Sequence, residues 1–108
     1  MTELLSITQD YIKNHVSSRD QNSKKGDNGI VLVIGGSSLY HGAPLLASLS
    51  ALRAGADLVY TAVPKIIVSA IRSYSPNIIA LPMTDSSLTM GSANRLIKGL
   101  PKIPHTAT

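Results

Sequence analysis

The residues best placed to do chemistry in this chain lie in one short run, Gly35-Gly-Ser-Ser-Leu-Tyr-His-Gly42, followed directly by Ala43 and Pro44. Glycines let a backbone approach a ligand without a Cβ in the way. If a helix starts at the end of such a run, its free N–H groups favour an anion. The chemistry expected is therefore binding of an anionic, phosphate-bearing small molecule rather than nucleophilic attack. The chain has no cysteine, which excludes disulfides, thiolate catalysis and cysteine–zinc sites. Its three histidines, His15, His41 and His105, share no metal-ligand spacing and read as surface or loop imidazoles. His41 differs only in sitting inside the glycine-rich run.

Two phosphate loops can be tested against the run, and neither fits. A nucleotide-triphosphate loop needs a lysine after its last glycine, and here Ala43 and Pro44 follow Gly42. The dinucleotide fingerprint needs evenly interrupted glycines and an acidic residue ending the second strand, and both are missing. A tight strand-to-helix turn made by Gly35 and Gly36 remains the plain alternative.

Several elements must position this run. Ile30–Ile34, IVLVI, is a continuous β-branched stretch of the kind buried on both faces of a parallel sheet. Pro44 suits the first turn of a helix, Leu45, Leu49 and Leu52 repeat at helical spacing, and Gly55 stands at a helix C-cap position. Leu58–Val63 is a second strand closed by Pro64. A shorter helix carries Ile66, Ile67, Ala70, Ile71 and Tyr74. Asn77–Leu81 is a third strand closed by Pro82, and a weaker helix, interrupted by Gly91 and Gly99, covers about residues 87–100. Residues 3–17 read as an amphipathic helix, part of a docking segment over 1–18, and residues 17–29 as a polar loop. Residues 101–108 read as a frayed tail. Alternating strands and helices imply parallel strands joined by right-handed crossovers. Three such strands are few for a free-standing sheet, so the chain reads as the first part of a larger α/β domain.

Composition narrows the partners. At 108 residues there is room for one small domain, and 44% hydrophobic residues are ample for a core. The core must be built from Leu, Ile, Val and Ala, because the chain has four Tyr but no Phe or Trp. The net charge of +4 favours anionic partners in general. The basic residues are scattered without an aromatic platform, which argues against nucleic acid. No apolar run approaches transmembrane length and no secretory signal opens the chain, so the expectation is a cytoplasmic protein with no membrane partner.

An ordered set of motifs goes further. Arg19, Ser23, Lys25, Gly26, Asp27 and Gly29 form R-x-x-x-S-x-K-G-D-x-G. V-L-V-I-G-G-S, Y-x-G-A-P, A-L-R-A-G-A-x-L-V and A-V-P follow in order. Over residues 19–82 this set resembles the ADP/ATP-dependent NAD(P)H-hydrate dehydratases, the carbohydrate-kinase-like domain of the NAD(P)H-hydrate repair enzymes. The resemblance implies a ribokinase-like fold, a three-layer, mostly parallel sheet with flanking helices, of which residues 1–108 would be a single partial domain. It also implies a repair reaction in which ATP or ADP, with Mg2+, phosphorylates the hydroxyl of hydrated nicotinamide and phosphate is eliminated to restore NADH or NADPH. The family's substrate contact at the G-A-P turn falls on Ala43, with Gly42 beside it and Gly36 and Ser37 shaping the same wall. The plain reading of Ala43 is a small residue required at a helix start. Lys25 and Asp27 read as a loop pair or loop-positioning charges, and Arg53 as a helix-dipole or surface residue. A homo-oligomer is compatible with the family.

The family's histidine-proline-glycine-glutamate, G-x-G-D and G-P-G segments are absent from the sequence. No catalytic residue is assigned, and the 108 residues as they stand are expected to be inactive. Three readings stay open: the N-terminal part of a truncated or split dehydratase, a small non-catalytic α/β module that binds an anionic small molecule, and a fragment that does not fold alone.

Overall fold

The computed structural model describes residues 3–108, and no helix among them is long and apolar enough to cross a membrane. Strands β1 (Ile30–Ile34), β2 (Leu58–Pro64), β3 (Ile79–Met83) and β4 (Thr106–Ala107) form one all-parallel sheet in the order β3-β2-β1-β4. The register pairs Ile30 with Leu58, Ile34 with Ala62, Thr61 with Ala80 and Leu32 with Ala107.

Pleat alternation sorts the apolar side chains into two layers. On one face Val63, Ile78 and Ala80 pack with Leu45 of helix α2 (Gly42–Ala54) and with Ile67, Val68 and Ile71. Val68 and Ile71 belong to helix α3 (Val68–Tyr74), and Ile67 closes the preceding 3-10 turn, Lys65–Ile67. On the other face Ile30, Leu32, Leu58, Tyr60, Ala62 and Met83 pack with Leu96 and Leu100, carried by or flanking helix α4 (Met90–Gly99). Helices thus cover both faces, which is why β2 can be buried along its whole length.

Helix α2 begins and ends as its residues dictate. Pro44 sits in its first turn and Gly55 caps its C-terminus at φ 114°, a left-handed conformation open to glycine. Leu45 is buried, and Leu49 and Leu52 pack beside it. Helix α4 starts where Thr89 and Ser92 exchange side-chain-to-backbone hydrogen bonds, a closed capping box.

Five expectations are corrected. The N-terminal helix, α1, runs only Gln9–His15 and buries no residue, with Leu5, Ile12 and Val16 exposed. Thr8 caps it by accepting the Tyr11 N–H, and without a packed face there is nothing to extend it toward Glu3. Of the docking segment expected over 1–18, residues 15–18 line a cavity with Val31, Ala51 and Ala54, and the first two residues lie outside those described. Strand β3 lies two residues later than expected, because pairing with β2 selects Ile79–Met83. Pro82 does not close it, since an edge strand tolerates the missing N–H. Tyr74, expected on the apolar side of its helix, is exposed, as is Ile66. Leu88, placed in the last helix, precedes it and is exposed.

The fifth correction is the largest. The tail expected to fray supplies a fourth strand on the open edge of β1. Ile34 donates to the Thr108 carbonyl at 2.7 Å, Thr108 to Leu32 at 2.9 Å and His105 to Ile30 at 2.8 Å. His105, expected as a lone loop imidazole, accepts the Ile30 N–H on its Nδ1 at 2.9 Å. A vacant sheet edge decides the conformation of so short a segment, whatever its own propensity.

Candidate functional site

In open α/β sheets ligands lie beyond the carboxyl ends of the strands. The Gly35–Gly42 run stands there, leaving β1 and entering α2. Gly35 donates to the Ala62 carbonyl at 3.1 Å, tying the start of the run to β2. Gly36 adopts φ 84°, and a Cβ on it would lie 2.8 Å from Ile67 Cδ1 and 3.3 Å from both Pro44 Cγ and the Tyr40 carbonyl oxygen. Glycine is therefore required here twice, by conformation and by space. Ser37 closes the turn: its N–H donates to the Tyr40 carbonyl at 2.9 Å, and its Oγ accepts from the N–H groups of Leu39 and Tyr40. That hydroxyl shapes the loop.

Gly42 and Ala43 form the exposed first turn of α2. His41 precedes them with no side-chain capping bond, and a Cβ on Gly42 would meet nothing within 4 Å. The structure thus gathers Gly36, Ser37, Gly42 and Ala43 into one loop-and-helix start. His41 is exposed and has no hydrogen-bond partner in the turn.

Two cavities flank the loop. One, of about 360 Å³, is mainly apolar and is lined by Ile34, Gly35, Gly36, Met83, Leu88 and the Ala107–Thr108 end of the chain. The other, of about 550 Å³, lies at the ends of β2 and β3 against Ser38, Lys65, Ile66, Thr84, Asp85 and Ser86. Gly36 opens into the first and Ser38 into the second, whereas Gly42 and Ala43 border neither. The walls supplied by β3 and the chain end escaped sequence reasoning because they come from distant segments; only the rule that strand ends hold ligands could have pointed to Thr84–Ser86.

A second polar centre sits at the opposite end of the sheet. Asp57, just before β2, accepts from the N–H groups of Gly26 and Asn28, both at 3.0 Å, from Asn28 Nδ2 at 3.1 Å and from Arg19 Nη1 at 2.7 Å. Arg19 also donates to the Gly55 carbonyl. The Asn28 N–H leads in holding the Asp57 carboxyl well below the usual range, at about 2; the Asn28 side chain, Arg19 and Gly26 add to it against the opposing effect of burial. Much of the K-G-D-x-G motif therefore builds a structural clamp. Lys25 and Asp27 form no ion pair with each other; Asp27 accepts the Lys24 N–H and Lys25 lends its carbonyl to Lys102. Sequence reasoning missed Asp57, which stood only at a variable position of a motif. Arg53 is exposed in the last turn of α2.

Residues 31–106 match the family model described as NAD(P)H-hydrate dehydratase, of the carbohydrate-kinase group. The chain belongs to this family. It is 52% identical over 103 residues to the ADP-dependent (S)-NAD(P)H-hydrate dehydratase of Nitrosopumilus maritimus, covering 95% of this chain and 36% of that protein. It is 45% identical to the bifunctional NAD(P)H-hydrate repair enzyme of Methanothermobacter thermautotrophicus, over 77% of this chain and 16% of that one. Among solved structures, a hypothetical protein of Streptococcus mutans superposes with a TM-score of 0.66 at 33% identity, covering 86% of this chain and 32% of its own. The chain thus spans about a third of the length of the dedicated ADP-dependent dehydratases it matches. The resemblance in sequence and the carbohydrate-kinase-like α/β architecture agree.

The glycine loop and the start of α2 offer no lysine and no metal cluster to the nucleotide and magnesium that the family implies. Among the described residues no three His, Cys, Asp or Glu side chains group to hold a metal ion. The one helix start beside the loop carries no lysine and has a proline at its third position.

Proposed function

We propose that these residues form the substrate wall of an ADP-dependent (S)-NAD(P)H-hydrate dehydratase, which removes water from the hydrated nicotinamide ring of NADH or NADPH. The observation that carries the reading is Gly36. Its left-handed turn, closed on Ile67 and Pro44, brings bare backbone to the carboxyl end of β1 between two cavities. Family membership supports hydrated NADH or NADPH as the ligand of that loop. Gly36 and Ser37 set the loop's path, and Gly42 and Ala43 offer backbone at the start of α2 with no bulk to obstruct a bound ring. ADP is the proposed phosphoryl donor because relatives at 52% and 50% identity are both named ADP-dependent. Relatives named ATP-dependent stand at 37% and 45%.

Ser37 Oγ is engaged within its own turn and is not placed to take a proton from a phosphoryl acceptor. Residues 1–108 are therefore expected to bind hydrated NADH without dehydrating it. The test is return of NADH absorbance with ADP and magnesium, run beside the Nitrosopumilus maritimus relative. Recovery only in the relative supports this division of labour; nucleotide-dependent recovery by residues 1–108 contradicts it.

A further inference from the structure

The cavity of about 550 Å³ beside the loop is mainly apolar, like its neighbour, but it has a lysine in its wall. Ser38 enters it from the glycine loop, Lys65 from the turn after β2, and Thr84 and Ser86 from the segment after β3. Three hydroxyl-bearing residues and one lysine thus line the wall beyond two adjacent strand ends, the Thr84 hydroxyl already accepting from Arg95 at 3.1 Å. The single carboxylate in the wall, Asp85, is already engaged. It accepts from Thr89 Oγ1 at 2.6 Å and pairs with Arg95 Nη2 at 3.3 Å. The Lys65 ammonium forms no salt bridge among the described residues. With Asp85 offset by Arg95, the wall is left with one uncompensated positive charge and hydroxyl donors around it, the pattern that receives a phosphate oxygen.

We infer that Lys65 is a specificity-determining residue that receives the diphosphate of the dinucleotide substrate, with Ser38 and Ser86 as neutral donors. The inference rests on the proposed substrate and adds the part of it that this cavity reads. Ser38 adjoins Ser37 and Gly36 in the chain, so the loop itself supplies one wall of the cavity. Along such a dinucleotide the diphosphate stands nearer the nicotinamide ring than the adenosine does, so it is the group a cation neighbouring the loop would meet first. Both NADH and NADPH carry that diphosphate.

The test is calorimetric titration of hydrated NADH and hydrated NADPH into the wild-type chain and its Lys65→Ala, Lys65→Arg and Ala43→Glu variants. Lys65 is exposed, so its replacement leaves the core intact. Lys65→Ala is expected to weaken both ligands about tenfold, as loss of one charged hydrogen bond does, and Lys65→Arg to stay within about threefold of wild type. Unchanged affinity in Lys65→Ala, with binding abolished by Ala43→Glu, overturns the role of Lys65 and leaves the substrate wall standing. Weakening of hydrated NADPH alone overturns the diphosphate assignment in favour of the extra phosphate. Failure of the wild-type chain to bind either ligand overturns both the role of Lys65 and the substrate reading beneath it.

Discussion

Gly36 and Asp57 show how differently single residues serve the two ends of one sheet. Gly36 holds φ 84° with Ile67, Pro44 and the Tyr40 carbonyl around the space a side chain would need. Ile67 Cδ1 is the far end of a flexible side chain and can yield; the Tyr40 carbonyl cannot. Gly36→Ala is expected to lower stability by about 1–2 kcal/mol, the cost of a left-handed L-residue. It should also weaken hydrated NADH by displacing the loop. Urea unfolding and a ligand titration check the two effects separately. Asp57 acts on folding instead. Its carboxyl sits at about 2, below its unfolded value of 3.8, so the charged form is favoured by the fold. That stability is fully present above the unfolded value and is lost as pH falls through about 2. Asp57→Asn should therefore be less stable than wild type at neutral pH, and the gap should narrow toward pH 2, as read by chemical unfolding across that range.

At the scale of elements, helix α2 is fixed to β2 by a buried polar pair as well as by leucines. Ser48 donates to the Pro44 carbonyl at 2.7 Å and shares a hydrogen bond with Thr61, and both side chains are fully buried. Ser48→Ala leaves the Thr61 hydroxyl without that partner and is expected to cost about 1–3 kcal/mol. Adding Thr61→Val removes the orphaned group and should recover part of the loss. A double-mutant cycle in urea measures the coupling, and strict additivity would contradict a direct bond between them. This pair was invisible in the sequence, where Ser48 and Thr61 are ordinary polar residues. What could be read was local: the β-branched run of β1, the leucine spacing and Gly55 stop of α2, and the proline that ends β2. Most of the misses were long-range, although the start of α4 after Leu88 is set locally by the Thr89–Ser92 capping box. Strand β4 depends on the vacant edge of β1, β3 takes its bounds from β2, and α1 is short because nothing packs on it. The turn at Gly36 was legible because its glycine requirement is written into the chain itself. The cavity walls from Lys65 and Thr84–Ser86 were not, since they meet the loop only through topology.

For the whole molecule, polarity of the sheet separates stability from function. The amino ends of β1 and β2 are closed by Arg19, Asp57, Gly26 and Asn28, while the carboxyl ends carry the glycine loop and both cavities. Changes at the first end should move unfolding midpoints with little effect on ligand affinity for the folded chain. Changes at the second should do the reverse, Gly36 excepted, because its conformation serves both. The central claim, that the carboxyl-end loop holds NAD(P)H-hydrate, is tested most directly by titrating hydrated NADH into an isotope-labelled chain and following its backbone amide resonances. The account predicts saturable shifts concentrated at Gly36, Ser37, Gly42 and Ala43, with Gly26, Asn28 and Asp57 unmoved. Saturation without shifts at the loop, or no binding by a folded chain, would contradict it.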